Sequence, residues 1–226
     1  MKAASDVRAA RARRLAGMHP ASREALLFYA EIAEWEAGAA DLAGLRAVVG
    51  RKGPRRLAEA IAELDEAAIE ESIERYLRLG EDGTPSGFVA RALLGVRGGF
   101  ATRQTPVAGL CPRCGHRPQV GRLEPEGHGA ALSLVCSLCG KTWAYPRGRC
   151  AGCGEADERR LAYYRAETLA HIEAMTCESC RRYLHLVDVG RDPEAIPEVD
   201  ELAAMPLDAW VRERGYRKLQ PNLVGI

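Results

Sequence analysis

Charge of one sign is missing from this sequence. Its 226 residues carry 32 Lys+Arg against 31 Asp+Glu, a formal net charge of +1. The balance holds regionally: residues 1–100 carry 15 against 15, residues 101–192 carry 13 against 10, and residues 193–226 carry 4 against 6. A surface that tracks phosphates draws its affinity from a marked basic excess, so nucleic acid is not an expected partner. Long apolar runs are missing too. No run of about 18 apolar residues occurs, which excludes a membrane-spanning helix. No apolar core follows Arg11-Ala-Arg-Arg14, so export is not expected and a cytoplasmic location is. There is no nucleophile motif, no His-Glu metallohydrolase pattern and no glycine-rich phosphate loop, Gly95-x-x-Gly98-Gly99 reading better as a linker. An enzymatic role has no residues to carry it, and the chain is expected to have no turnover of its own.

What is present divides by texture. Nearly half of the chain, 47%, is hydrophobic, enough for a packed core. Residues 1–99 are rich in Ala, Leu, Glu and Arg, with apolar positions at helical spacing such as Leu26, Leu27, Ala30, Ala33 and Ala37, and are expected to form an all-helical domain. Pro20 suits a first helical turn and Gly38 a stop. Further helices are expected near 54–63, 66–79 and 86–96. Leu57, Ile61, Leu64 and then Ile69, Ile73, Tyr76, Leu77 provide apolar stripes for the core. From Gly98-Gly99 the texture changes to Cys, Gly, Arg and short β-type runs: Gln119–Leu123, Leu132–Cys136, Lys141–Tyr145, Arg160–Tyr164 and Tyr183–Val189. Beyond Pro193 and Pro197, residues 200–216 read as an amphipathic helix that Pro206 either kinks or restarts. The expected fold class is α+β: a helical domain (1–99), two four-cysteine ribbon modules with antiparallel hairpins (100–145 and 146–192), and a C-terminal helical tail (193–226).

The eight cysteines fall in four Cys-x-x-Cys pairs, Cys111/Cys114, Cys136/Cys139, Cys150/Cys153 and Cys177/Cys180, with none left over. Two intervening residues let both sulfurs reach one ion, and two pairs close a tetrahedron of thiolates, a zinc-ribbon pattern with no open position for substrate water. A reducing compartment and this strict pairing favour metal thiolates over disulfides. Two bound metal ions in structural sites are therefore expected, iron and zinc both suiting four thiolates. Three partitions of four pairs exist. Sequential pairing leaves 21 and 23 intervening residues, close to ribbon spacing, and gives two modules in a row; pairing 111/114 with 150/153 would give one cross-braced unit. Gly115, Gly140 and Gly154 follow three of the pairs, where a left-handed residue lets backbone N–H groups face the sulfurs. Arg181 follows the fourth, and that knuckle is expected to turn differently. Eight thiolates fill two sites, so His116, His171 and His185 are not expected as ligands. Trp143 and Tyr145 read as an aromatic lid on a ribbon or, with Arg147 and Arg149, as a partner surface.

At this point the sequence resembles the formate dehydrogenase accessory protein (FdhE) family. The resemblance rests on Cys-Pro-x-Cys-Gly, Cys-Ser-Leu-Cys with Lys141-Thr-Trp143 after it, Arg149-Cys-x-x-Cys, and Cys-x-x-Cys with Tyr183-Leu. It continues through Val199-Asp-Glu-Leu202, Leu207-Asp208, Gly215-Tyr216 and Asn222-Leu. It implies two rubredoxin-like metal folds with the eight cysteines as ligands, iron as a metal linked to them, and a maturation factor that binds the catalytic subunit of a molybdenum- or tungsten-dependent formate dehydrogenase. Trp143, Tyr145, Arg147 and Arg149, with Asp200, Glu201 and Asp208 of the acidic tail, are then the candidate partner contacts. A homodimer is the other association considered. A nucleic-acid-binding zinc ribbon and a rubredoxin-like electron-transfer protein are the competing readings.

Overall fold

The computed structural model describes residues 2–38, 40–79, 84–98 and 107–225. The chain divides into two compact units, Met1–Gly99 with Leu223–Gly225, and Phe100–Asn222.

The first unit is helical: α1 (Lys2–Met18), α2 (Arg23–Ala37), α3 (Leu42–Lys52), α4 (Arg55–Ala62), α5 (Glu66–Leu79) and α6 (Pro85–Arg97). Local chemistry sets the helix ends. Pro20 opens a short 3-10 turn before α2, and Gly38 stops α2. Asp41 and Thr84 cap α3 and α6 by accepting the amides of Gly44 (2.7 Å) and Gly87 (3.1 Å), which satisfies donors that have no partner inside the helix. The buried stripes, Leu26, Ala30 and Ala33 on α2, Ile61 on α4, and Ile69, Ile73 and Tyr76 on α5, follow the expected 3.6-residue period. Leu77 does not: it is 48% exposed, two residues before α5 ends at Leu79.

The second unit is built on one sheet of β1 (Pro118–Glu126), β2 (Gly129–Cys136), β3 (Thr142–Tyr145), β4 (Leu161–Arg165), β5 (Ile172–Cys177) and β6 (Arg182–Asp188), with a short β7 (Arg217–Lys218) beside β6. Its order is β3-β2-β1-β6-β5-β4. Each half is an antiparallel three-stranded ribbon, and the halves join where β1 runs parallel to β6, pairing Gly121 with Leu186, Arg122 with Val187 and Leu123 with Asp188. Gly121 is required at this seam, since a Cβ there would stand 2.4 Å from Leu186 Cδ2 and 2.9 Å from Leu132 Cδ1. One core runs beneath both halves and includes Leu132, Leu134, Tyr145, Ala151, Met175, Leu184, Leu186 and Leu219.

The α+β expectation holds, with one adjustment. β5 is absent from the expected strand runs: Ile-Glu-Ala-Met-Thr-Cys has no aromatic residue and sets Glu, Ala and Met between its two β-branched residues, and pairing on both edges with β4 and β6 makes it a strand. Of the two readings of 200–216, the restart at Pro206 holds: the segment is α7 (Pro197–Asp200), a 3-10 turn (Glu201–Ala204) and a second helix, α8 (Met205–Glu213). Pro206 lies in the first turn of α8, where its missing N–H has no helical partner to lose. No helix among the described residues is long and apolar enough to cross a membrane.

Candidate metal centres

Each Cys-x-x-Cys pair sits in a tight turn next to a strand, and the turns follow one design. The residue after the second cysteine donates its amide to the carbonyl of the first: Gly115 to Cys111 (2.9 Å), Gly140 to Cys136 (3.3 Å), Gly154 to Cys150 (2.9 Å) and Arg181 to Cys177 (2.9 Å). All four acceptor turns need a left-handed residue, with φ of 78°, 64°, 80° and 54°. The expectation that the fourth knuckle turns differently is therefore corrected: it turns the same way, with Arg181 taking the conformation that glycine takes elsewhere. Its side chain is anchored in return. The guanidinium donates to Glu178 Oε2 (2.6 Å) and to the Arg214 carbonyl (2.6 Å), and lies 4.1 Å from the centre of the Tyr216 ring.

This turn aims backbone amides at sulfur. The amides of Leu138 and Cys139 face Cys136, those of Gly152 and Cys153 face Cys150, and those of Ser179 and Cys180 face Cys177. Leu138 N stands 3.4 Å from Cys136 Sγ, and Gly152 N 3.3 Å from Cys150 Sγ. N–H groups so placed stabilise thiolates and fix their direction.

The sulfurs gather into two groups, Cys111, Cys114, Cys136 and Cys139, and Cys150, Cys153, Cys177 and Cys180. Of the three partitions, this is the sequential one. It does not yield independent modules, because the ribbons share one sheet and one core. The Sγ separations are 3.6 Å for Cys111 to Cys139, 3.4 Å for Cys114 to Cys136 and 3.5 Å for Cys114 to Cys139; in the second group they are 3.7 Å for Cys150 to Cys180 and 3.8 Å for Cys153 to Cys177. These are far beyond the ~2.05 Å of a disulfide. A tetrahedral ion with metal–sulfur bonds of ~2.3 Å needs sulfurs about 3.8 Å apart, so both groups fit one ion each.

Electrostatics agree with geometry. Hydrogen bonds from Cys114 and Cys136 pull the Cys139 thiol well down, whereas hydrogen bonding with Cys114 and Cys139, together with burial, pushes Cys136 strongly up. Burial likewise pushes Cys150 up. Four such sulfurs cannot ionise together unaided, and a cation at their centre removes the conflict. No vacant vertex remains in either group for an activated water.

The other candidate residues separate into surface and interior. Arg147 and Arg149 are exposed and Trp143 is half-buried against the sheet core. Tyr145 is buried, and its hydroxyl donates to the Cys150 carbonyl at 3.0 Å. The acidic contact surface expected of Asp200, Glu201 and Asp208 is corrected, for all three side chains are interior. Asp200 accepts the Ile196 amide (2.8 Å) and faces His171 Nε2 (2.9 Å). Glu201 lies 2.9 Å from Lys218 Nζ and accepts from Gln119 Nε2. Asp208 accepts the Tyr183 hydroxyl (2.6 Å) and lies 3.4 Å from Lys218 Nζ. Between the two carboxylates His185 is wholly buried, 3.8 Å from Glu201 and 3.5 Å from Asp208. This charged interior ties the C-terminal segment to the sheet. Sequence reasoning missed Gln119 and Lys218 because a Gln in a strand and a Lys near a chain end ordinarily read as solvated.

Comparison with known proteins follows the same residues. Residues 149–224 match the family described as FdhE, C-terminal domain. The protein FdhE homolog of Aquifex aeolicus is 34% identical over 116 residues, 51% of this chain and 41% of that protein. The homolog of Pseudomonas aeruginosa is 37% identical over 139 residues, 58% of this chain and 44% of that protein. The chain thus matches less than half the length of these curated relatives. The crystal structure of the FdhE protein from Pseudomonas aeruginosa shares the fold, with a TM-score of 0.77 at 23% identity, covering 99% of this chain and 96% of that one. The FdhE resemblance read from the cysteine and tail motifs is borne out.

Proposed function

We propose, with the FdhE likeness of residues 149–224 as the premise, that this chain is an accessory protein that binds the catalytic subunit of a molybdenum- or tungsten-dependent formate dehydrogenase and assists its assembly or activation. In this reading each four-cysteine group holds one zinc or iron ion: Cys111, Cys114, Cys136 and Cys139 the first, Cys150, Cys153, Cys177 and Cys180 the second. Filled by four thiolates, either ion supplies stability to short strands that could not hold together unaided. The protein's own part is to fix the sulfur directions through the knuckle amides and to present a rigid sheet. The client contact is then assigned to the exposed Arg147 and Arg149 with half-buried Trp143, all beside the first ribbon. No group in either cage is placed to turn over a substrate, so the chain acts by holding its client.

The observation that carries this reading is the FdhE match across the second four-cysteine group and the C-terminal segment. Affinity purification of the tagged chain from cells expressing a formate dehydrogenase tests it. The expected result is co-purification of the catalytic subunit, weakened when Arg147 and Arg149 are both changed to Glu. Absence of that subunit under crosslinking, or formate oxidation by the isolated chain, would contradict the proposal.

A further inference from the structure

The two four-cysteine groups are separate in sequence, but the first ribbon touches the second group through the first two residues of one knuckle. Cys150 and Ala151 begin the Cys150–Cys153 turn of the second group, and the structures holding them belong to the first ribbon. Tyr145, at the end of β3 and six residues beyond Cys139, donates its buried hydroxyl to the Cys150 carbonyl at 3.0 Å. That same carbonyl accepts the Gly154 amide that closes the turn, so Tyr145 acts on the turn's own hydrogen bond. Gly109, two residues before Cys111, packs so closely on Ala151 that a Cβ there would fall 2.2 Å from the Ala151 carbonyl oxygen, and its φ of 78° is one that only glycine takes without cost. Ala151 itself sits in the common core with Tyr145, Leu132 and Leu134 of the first ribbon.

We propose that the two metal centres are energetically coupled, the first ribbon pre-organising the second site's Cys150 knuckle through Tyr145 and Gly109. An ion bound by Cys111, Cys114, Cys136 and Cys139 ties the segment before β1 to the β2–β3 turn, and so restricts Gly109, two residues ahead of the first knuckle, and Tyr145, on the strand that leaves the second. The Cys150 turn is then set in its ligating shape before metal arrives, and the ordering cost at the second site falls. The coupling is reciprocal, so an ion at the second site tightens the first by the same factor. Tyr145 is a positioning residue: it touches no metal and acts through the Cys150 backbone. This inference rests on the metal reading above, and it adds that the chain loads as a pair of centres rather than as two independent ones.

A double-mutant cycle with zinc as the probe tests it. Site-selective affinities come from chelator competition on the full chain, using Cys150→Ser/Cys153→Ser to identify the signal of the first site. Removing the first site with Cys111→Ser/Cys114→Ser is expected to weaken zinc at the second by about 5- to 100-fold, the ordinary range for coupled sites. Tyr145→Phe, which deletes one hydroxyl and leaves all eight thiols, is expected to weaken the second site about fivefold, as loss of one buried hydrogen bond does. With the first site already removed, Tyr145→Phe should have no further effect. Should the double serine variant fail to fold, Tyr145→Phe in the intact chain still decides: weaker second-site binding, matched by equally weaker first-site binding while the second site is filled, supports coupling. Unchanged second-site affinity, or loss of first-site affinity on adding Tyr145→Phe to Cys150→Ser/Cys153→Ser, overturns it. Failure of the native chain to bind zinc or iron at all would instead sink the metal reading itself.

Discussion

At the scale of single residues, the four knuckles differ at one position that matters. Gly154 and Arg181 occupy equivalent left-handed positions, and a side chain there costs roughly 1–2 kcal/mol. Gly154→Ala should therefore destabilise the metal-loaded chain by about that amount in chemical denaturation. Arg181→Gly should not, because relief of backbone strain offsets the missing ion pair with Glu178 and the missing cation–π interaction with Tyr216. The eight candidate ligands were legible from spacing alone, since nothing but Cys-x-x-Cys repetition is needed to see them. The Arg181 turn was not, because glycine marks only the other three knuckles and the hydrogen bonding that imposes the turn on any residue is invisible in one sequence. The interior charges were equally hidden. Burial pushes the Asp208 carboxyl up, but His185 and Lys218 outweigh it and hold it below its ordinary 3.8. A depressed folded value means that its stabilisation is present above the ordinary value and lost as pH falls through the folded one. The destabilisation of Asp208→Asn relative to the native chain should thus be constant from neutral pH to about 5 and shrink in stronger acid. Lys218→Met should cost about 3–5 kcal/mol near neutral pH, since it strands two buried carboxylates.

At the scale of elements, the seam between β1 and β6 decides whether two ribbons behave as one sheet. Gly121 has no room for a side chain there, so Gly121→Val should cost at least about 1–3 kcal/mol through overpacking against Leu186 and Leu132, and hydrogen exchange should rise first at residues 121–123 and 186–188. The antiparallel hairpins could be read from their β-type runs and turn residues, and helix ends from Pro20 and Gly38. The parallel seam could not. It joins residues more than sixty positions apart, and no local pattern distinguishes an edge strand that will pair from one that will not. The same limit hid β5, whose composition is ambiguous and whose neighbours make it a strand. Asp200, Glu201 and Asp208 read as the polar face of a helix for a related reason: amphipathic periodicity shows which residues lie together, not whether a Lys and a His wait on the opposite wall.

At the scale of the molecule, the helical unit carries its own capped helices and buried stripes, whereas the sheet unit depends on its sulfurs. On the proposed metal reading, short strands, a shared core of modest size and two cages of thiols at tetrahedral spacing make a unit whose folding free energy is in large part metal-binding free energy. Elemental analysis of the purified native chain under reducing conditions, paired with circular dichroism before and after a strong chelator, tests this most directly. The account predicts two ions of zinc or iron per chain, and loss of the sheet signal with retention of the helical signal when they are removed. A reduced, metal-free chain whose sheet unit keeps its native spectrum and cooperative unfolding would contradict it.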